Sequence, residues 1–307
     1  MKYFDLHCDT ALQCLEKHCS LLSNDLNISL ERVRGYERWA QVFAVWIEDE
    51  YRGDAAYSRF CSASAYLQEE LRKNVDSIAF CKTGADLDSA EQNSKNIAVL
   101  SIEGGAAIAG KMEHLHDVYE QGVRLMTLTW NGRNEIADGC MQEDAKGLTP
   151  FGFDVIREMN RMGMTVDVSH LSEAGFWDVA NVSTKPFVAT HSDSKALQPH
   201  QRNLTDDQFR EIAQGGGLVG LNFHSDFLGG TEDIAEIVNH AEHFLNLGGE
   251  KVLALGSDFD GCELCGGING VQDVSKLYDA MAERFGKEIT DDVFYNNTYR
   301  FFRKNLG

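Results

Sequence analysis

Thr165-Val166-Asp167-Val168-Ser169-His170 and Pro186-Phe187-Val188-Ala189-Thr190-His191 are two short runs rich in β-branched residues, and each closes on a histidine. The histidines stand twenty-one residues apart. One strand–helix–strand unit requires that spacing, so the two strands are expected to be parallel, with both rings emerging side by side at the same rim. Runs of the same kind recur at 3–6, 41–47, 97–102, 123–128, 164–168, 187–189, 218–221 and 252–255. Between them, 55–74, 151–162, 206–213 and 234–247 carry apolar residues three and four apart, the period of helices that cover a sheet. Eight strands alternating with helices is the number a closed (β/α)8 barrel of the TIM type needs, so an α/β fold with 1–307 as one domain is expected. A further run at 77–81 leaves the strand count open by one. The runner-up is an open doubly wound sheet, but no GxGxxG follows the first strand. Glu103-Gly104-Gly105 also lacks the Gly-Lys-Ser/Thr ending of a phosphate loop. Those glycines are expected instead to let backbone pass close to a neighbouring element.

The chain of 307 residues is 43% apolar, enough for a substantial core without staples. Its 28 Lys+Arg against 48 Asp+Glu give a net charge of -20, which repels phosphate backbones and anionic membrane surfaces and sets nucleic acid aside as a partner. Residues 1–20 carry charges and histidines where a signal peptide needs an apolar stretch, and no run has the length of a membrane span. The expected location is therefore cytoplasmic. The eight scattered cysteines read as reduced thiols in a chain of this length. Cys262 and Cys265 form a lone CxxC in a Gly-rich loop. It has neither the second pair of a zinc ribbon nor the helix a redox motif opens, so plain loop cysteines are expected.

The residues at the strand ends carry the chemistry. His7 and Asp9 come directly after the first run, Glu103 after the third, Trp130 and Asn131 after the fourth, and His170 after the fifth. His191 comes after the sixth, Asn222 and His224 after the seventh, and Asp258 after the eighth. In a closed barrel these ends converge on one face, where barrel enzymes build their sites. In extended backbone His7 and Asp9 point the same way and can grip one ion, with Cys8 facing the other side; the alternative is a hydrogen-bonded turn pair. Glu103 has two oxygens that can bridge two ions; the alternative is an acid at a helix N-terminus, worth up to about 1 kcal/mol. A single histidine such as His170 or His191 is more often a satisfied core residue than a ligand. Two of them in register with His7, Asp9 and Glu103 read as a ligand set. Oxygen and imidazole donors without thiolate suit zinc, and manganese, cobalt or iron fit the same donors. Five ligands exceed the three usual at one catalytic zinc, so a bridging Glu103 divides them between two metals. Asp258, in Gly256-Ser257-Asp258-Phe259-Asp260-Gly261, is either a turn former like Asp260 or the group that takes the nucleophile's proton and passes it to the leaving amine; the second reading is preferred.

With these residues in place, the sequence resembles the membrane dipeptidase (renal dipeptidase-like) family of metallopeptidases, which belongs to the amidohydrolase-like barrels. The resemblance covers nearly the whole chain. It is carried in order by Asp5-Leu6-His7-Cys8-Asp9-Thr10, Ile102-Glu103-Gly104-Gly105, Leu125-Met126-Thr127-Leu128-Thr129 and Gly147-Leu148-Thr149-Pro150-Phe151-Gly152. Asp167-Val168-Ser169-His170-Leu171-Ser172, Thr190-His191-Ser192, Gln201-Arg202-Asn203 and the 256–261 segment complete it. The resemblance implies that His7 and Asp9 bind one zinc, His170 and His191 the other, and Glu103 bridges them. It further implies that Asp258 orients and deprotonates a bridging water and that Arg202 holds the substrate's terminal carboxylate, a task suited to a forked guanidinium. One position departs from the animal members, which carry histidine where this chain has Trp130. An indole offers only an N–H donor near the substrate carbonyl, so oxyanion stabilisation is expected to fall to the metal itself. Signal peptide and C-terminal anchor signal are not seen, so membrane attachment is not carried over from the family.

The expected activity is therefore that of a dipeptidase with two Zn2+ ions whose bridging hydroxide attacks the peptide carbon. Arg202 confines the substrate to short peptides, because a longer chain places an amide where the anion belongs. Family likeness adds tolerance of a D-residue at the carboxyl end, and a homodimer. The alternatives are a two-metal hydrolase of another small amide, such as an N-acyl amino acid or lactam, and a catalytically silent metal-binding barrel. Trp130 alone supports the silent barrel, and Asp258 speaks against it.

Overall fold

The computed structural model describes residues 1–229 and 233–307. Its strands are β1 (Lys2–Cys8), β2 (Arg38–Trp46), β3 (Ile78–Phe80), β4 (Asn96–Glu103), β5 (Val123–Thr127), β6 (Thr165–Asp167), β7 (Val219–Leu221) and β8 (Leu253–Leu255). They pair in parallel in the order β6-β5-β4-β2-β1-β8-β7. Residues 187–189 close the gap between β6 and β7. Val188 bridges Asp167 on one side and Ala189 bridges Val219 on the other. The backbone N–H of Val188 donates to Val166 at 2.9 Å and that of Ala189 to Leu218, also at 2.9 Å. The ring therefore has eight staves, the (β/α)8 barrel expected, although the sixth is too short to form a ladder of its own.

The extra run at 77–81 becomes β3, which lies outside the ring. It pairs with β4 at Asn96, Ile97 and Ala98, and β5 takes over that edge from Leu100 onward. The helices Gly53–Lys73, Pro150–Met162, Asp206–Gln214 and Ile234–Asn246 fall where the apolar period placed them. Their starts are locally encoded: Thr149 accepts from the Gly152 N–H with Pro150 in the first turn, and Thr205 and Gln208 form a reciprocal capping box.

Alternate residues of the strands divide into two cores, as a strand period of two requires. Phe4, Leu6, Ala40, Val42, Ile97, Val99, Leu125, Val188, Leu218 and Ala254 share one cluster with Phe301, Phe302 and Leu306. Residues from around a ring can meet only inside it. This cluster is therefore the barrel interior, and the helix Asn297–Asn305 closes its lower end. Tyr3, Trp39, Phe43, Leu100 and Met126 join the larger cluster between strands and helices. The barrel narrows at the sixth stave. A Cβ on Gly220 or Gly256 would come within 1.9 and 1.8 Å of the Thr190 carbonyl oxygen, so only glycine lets those backbones approach.

One irregularity positions the site. Asp5 pairs with Gln41 but Cys8 pairs with Phe43, so β1 spends one residue more than β2 over the same length. Before this bulge Phe4 and Leu6 face inward; after it Cys8 is opposite outward-facing Phe43. His7 is the residue the slip turns into the barrel mouth.

Candidate metal centre

The upper ends of the staves bring together all six residues read as ligands or base, although they are scattered from position 7 to 258. His7 Nε2 lies 3.4 Å from Glu103 Oε2, 3.6 Å from Asp9 Oδ2 and 3.9 Å from Asp258 Oδ1. On the other side of Glu103, Oε1 is 2.8 Å from His170 Nε2 and 3.5 Å from His191 Nε2. The two histidines face each other with Nε2 atoms 3.0 Å apart, and the His191 ring stacks on His7 with centroids 3.9 Å apart. Every one of the six is less than a tenth exposed. Asp9 is not in extended backbone as its spacing from His7 implied; it begins the helix Thr10–Lys17 with φ −99° and ψ 9°, yet its carboxylate still turns toward His7. Cys8 is buried on the far side of the strand.

His170 and Asp258 have φ of 64° and 61°, a left-handed conformation that costs a non-glycine residue about 1–2 kcal/mol. Both are the first turn after a stave, and the strained turn aims the side chain inward. Asp260, at φ 69°, does form a turn, but its carboxylate also accepts from Thr10 and from the Asn27 N–H, tying the loop to the first helix. Gly261 passes directly under the site: a Cβ there would sit 2.0 Å from Asp9 Oδ2 and 2.7 Å from Asp258 Oδ1.

The electrostatics are those of a cluster built around positive charge. Burial pushes the His170 pKa down to about 3, with the Arg202 charge adding to it, and burial together with His7 lowers that of His191. Two rings that resist protonation are neutral donors, the form a metal ion requires. Burial opposes ionisation of Glu103, but His7 and His170 outweigh it and hold Glu103 well below the usual carboxylate range. Burial raises Asp9, and the Glu103 charge raises it further. Burial alone would depress His7; the charges of Glu103 and Asp9 hold it well above an ordinary histidine. His7 Nδ1, His7 Nε2 and Asp9 Oδ1 are buried without a hydrogen-bond partner among the described residues. An unpaired buried polar atom costs about 1–3 kcal/mol, and a cation at this point would engage Nε2 and Oδ1. His7, Glu103 and His191 hold donor atoms within 4.8 Å of one another, as do His7, Asp9 and Asp258. The donor set therefore fits divalent metal.

The site opens into a cleft of about 250 Å³. Trp130 forms one wall, packed edge-on against Trp46 at 4.9 Å and with its ring 6.5 Å from that of His170; Phe227 and His224 also line the cleft. Arg202 is one layer back. It is 4% exposed, its Nη2 donates to the His191 carbonyl at 3.0 Å, and its Nε has no partner among the described residues. Two residues that had no assigned role also contribute. Asn222 Nδ2 donates to Asp258 Oδ2 at 3.0 Å, and Asn131 Oδ1 lies 3.0 Å from His170 Nδ1. Their place just after a strand is the signal that marks both.

The family model of the membrane dipeptidases, peptidase family M19, matches residues 1–306. A protein from the pqqA 5' region of Klebsiella pneumoniae is 34% identical over 252 residues, covering 78% of this chain and 93% of the relative. A dipeptidase of Schizosaccharomyces pombe is 31% identical over 273 residues, covering 83% of this chain; the chain spans 65% of that protein's length. Among solved structures, a metallopeptidase from Rhodobacter sphaeroides liganded with a phosphinate mimic of the dipeptide L-Ala-D-Ala superposes with a TM-score of 0.93. It is 25% identical and covers 100% of this chain and 99% of the other.

Proposed function

Because the chain belongs to the membrane dipeptidase family of metallopeptidases, we propose that it is a binuclear zinc dipeptidase acting on short peptides, including those with a C-terminal D-residue. In this reading residues 1–307 act as one hydrolase domain. The observation that carries it is the meeting of His7, Asp9, Glu103, His170 and His191 around one mouth with Asp258 beside them. His7 and Asp9 would hold one ion, His170 and His191 the other, with one Glu103 oxygen turned to each side. Bound there, a pair of divalent ions supplies Lewis acidity, acidifying water and polarising a carbonyl.

The protein's own groups do the rest. Asn222 engages Asp258 Oδ2 and leaves Oδ1 turned to the centre, where it takes the proton of the attacking water and returns it to the leaving amine. Trp46 and Trp130 exclude water from one side of the cleft. Arg202 has one nitrogen committed to the His191 carbonyl and a buried Nε without a partner among the described residues, one layer behind the cleft; in this reading it turns toward the cleft when substrate enters and meets the substrate carboxylate with the rest of its fork. The mimic of L-Ala-D-Ala on the Rhodobacter relative supports the D-residue. The eight free thiols suit a reducing cytoplasm, and the family likeness suggests a homodimer. Among the described residues no helix is long and apolar enough to cross a membrane.

The test is metal analysis of the purified protein beside a panel of L,L and L,D dipeptides, with Asp258→Asn in parallel. We expect two equivalents of zinc in both proteins, turnover of L-Ala-D-Ala by the parent, and a loss of about 10²–10⁴-fold in kcat in the variant. Unchanged turnover by Asp258→Asn would remove this carboxylate from the mechanism. Turnover of N-acyl amino acids in place of dipeptides would move the protein to the other small-amide reading.

A further inference from the structure

Beneath the two facing histidines is a buried polar layer to which the reaction assigns nothing. Asp167 is fully buried and its carboxylate receives four donors: the backbone N–H of Ser169 and of Thr190 at 3.0 Å each on Oδ1, and the hydroxyls of Thr127 and Thr190 at 2.5 and 2.6 Å on Oδ2. The same Thr190 hydroxyl lies 2.7 Å from His191 Nδ1. A threonine hydroxyl has a single hydrogen, and a carboxylate oxygen can only accept. With that hydrogen given to Asp167, Thr190 Oγ1 meets His191 Nδ1 as an acceptor, and the ring proton must sit on Nδ1. The lone pair is then on Nε2, the nitrogen that faces Glu103 at 3.5 Å. His170 is arranged alike, with Nδ1 against the Asn131 amide 3.0 Å away and Nε2 toward Glu103.

We propose that Thr190, oriented by Asp167, is a positioning residue that fixes the tautomer and ring angle of His191 and so tunes how tightly its half of the centre holds a metal ion. This rests on the reading of His191 as a ligand. A partner on the far ring nitrogen raises the basicity of a ligating imidazole and holds its plane, and removing such a partner costs about 10–100-fold in metal affinity. Among the described residues His7 has no equivalent partner, since its Nδ1 is buried and unpaired.

The structure supplies its own control. Thr127 donates to the same oxygen of Asp167 but, among the described residues, makes no hydrogen bond to a histidine, so Thr127→Val removes one donor from the carboxylate as Thr190→Val does and leaves the ring's own partner in place. The metal-free proteins are titrated with Zn2+ against a chromogenic chelator, and with Co2+ while the visible spectrum is monitored. Thr190→Val is expected to bind one of its two ions at least tenfold more weakly and to shift the Co2+ bands, Thr190→Ser to restore both, and Thr127→Val to stay within about twofold of the parent. If Thr190→Val does not fold, Thr190→Ala removes the same hydroxyl and is read the same way. Parent-like affinity without the Thr190 hydroxyl, or equal losses at Thr190 and Thr127, overturns the inference. A parent protein that takes up no ion overturns the ligand reading itself and this inference with it.

Discussion

Two positions around the site make separable predictions. Arg202→Ala is expected to raise KM for dipeptides by about tenfold or more, the worth of a charge-assisted hydrogen bond, and to leave carboxyl-amidated analogues nearly unchanged. Steady-state kinetics on both substrates check this, and equal losses would give Arg202 another task. Gly261→Ala forces a methyl against the Asp9 and Asp258 carboxylates. Overpacking of this kind costs about 1–3 kcal/mol and should weaken metal binding with it; calorimetry and chelator competition read the two effects. At this scale the sequence was informative about which donors meet at the mouth and less so about what supports them. His7, Asp9, Glu103, His170, His191 and Asp258 could be picked out because each is a donor at a strand end. Thr190 and Asp167 looked like ordinary strand residues. Their function lies in one proton shared across a stave boundary, and that depends on distances no spacing rule contains.

The helix Ile234–Asn246 carries a buried imidazole on its inner face, His240, whose Nδ1 accepts the Ser194 N–H at 3.0 Å. Burial lowers its pKa to about 4. Protonation would turn an acceptor into a donor facing another donor, so the folded protein resists a proton that the unfolded chain takes up near its reference value of about 6.5. The stability due to this group is present above that pH and is lost as pH falls toward 4, about 3 kcal/mol across the window. The His240→Asn change keeps an acceptor and removes the titration. Urea unfolding from pH 7 to 4 should therefore fall less steeply in His240→Asn than in the parent, and parallel slopes would exclude His240 as the sensor. The helices were legible because amphipathic period and caps are local. The sixth stave, 187–189, was legible as a run, but it is too short for a ladder of its own, and the close approach of Gly220 and Gly256 to Thr190 just beyond it is something only the closed ring creates. The slip in β1 had no signal at all, since a bulge is a property of two strands and is not written in one.

The whole barrel is held at one end by the apolar plug around Phe302 and at the other by a knot of carboxylates and imidazoles with unpaired atoms. Metal should therefore be part of its stability. Zinc at about 100 times its dissociation constant adds about 2.7 kcal/mol per site, so chelation is expected to lower Tm by several degrees in scanning calorimetry, and restored zinc to recover it. A Tm indifferent to chelator would mean that the mouth is preorganised without the ions. The extra residue in β1 carries a wider implication. A regular first strand of the same sequence, without the slip, would leave the eight staves free to zip and Phe4 free to rest on Phe302, yet it would set Leu6 against Val42 and His7 against outward-facing Phe43, so the imidazole would point at the helices. Such a molecule would superpose on its relatives almost atom for atom and be chemically blank. For this architecture, shape alone is a poor witness to activity, and the parity of the first strand is the place to look.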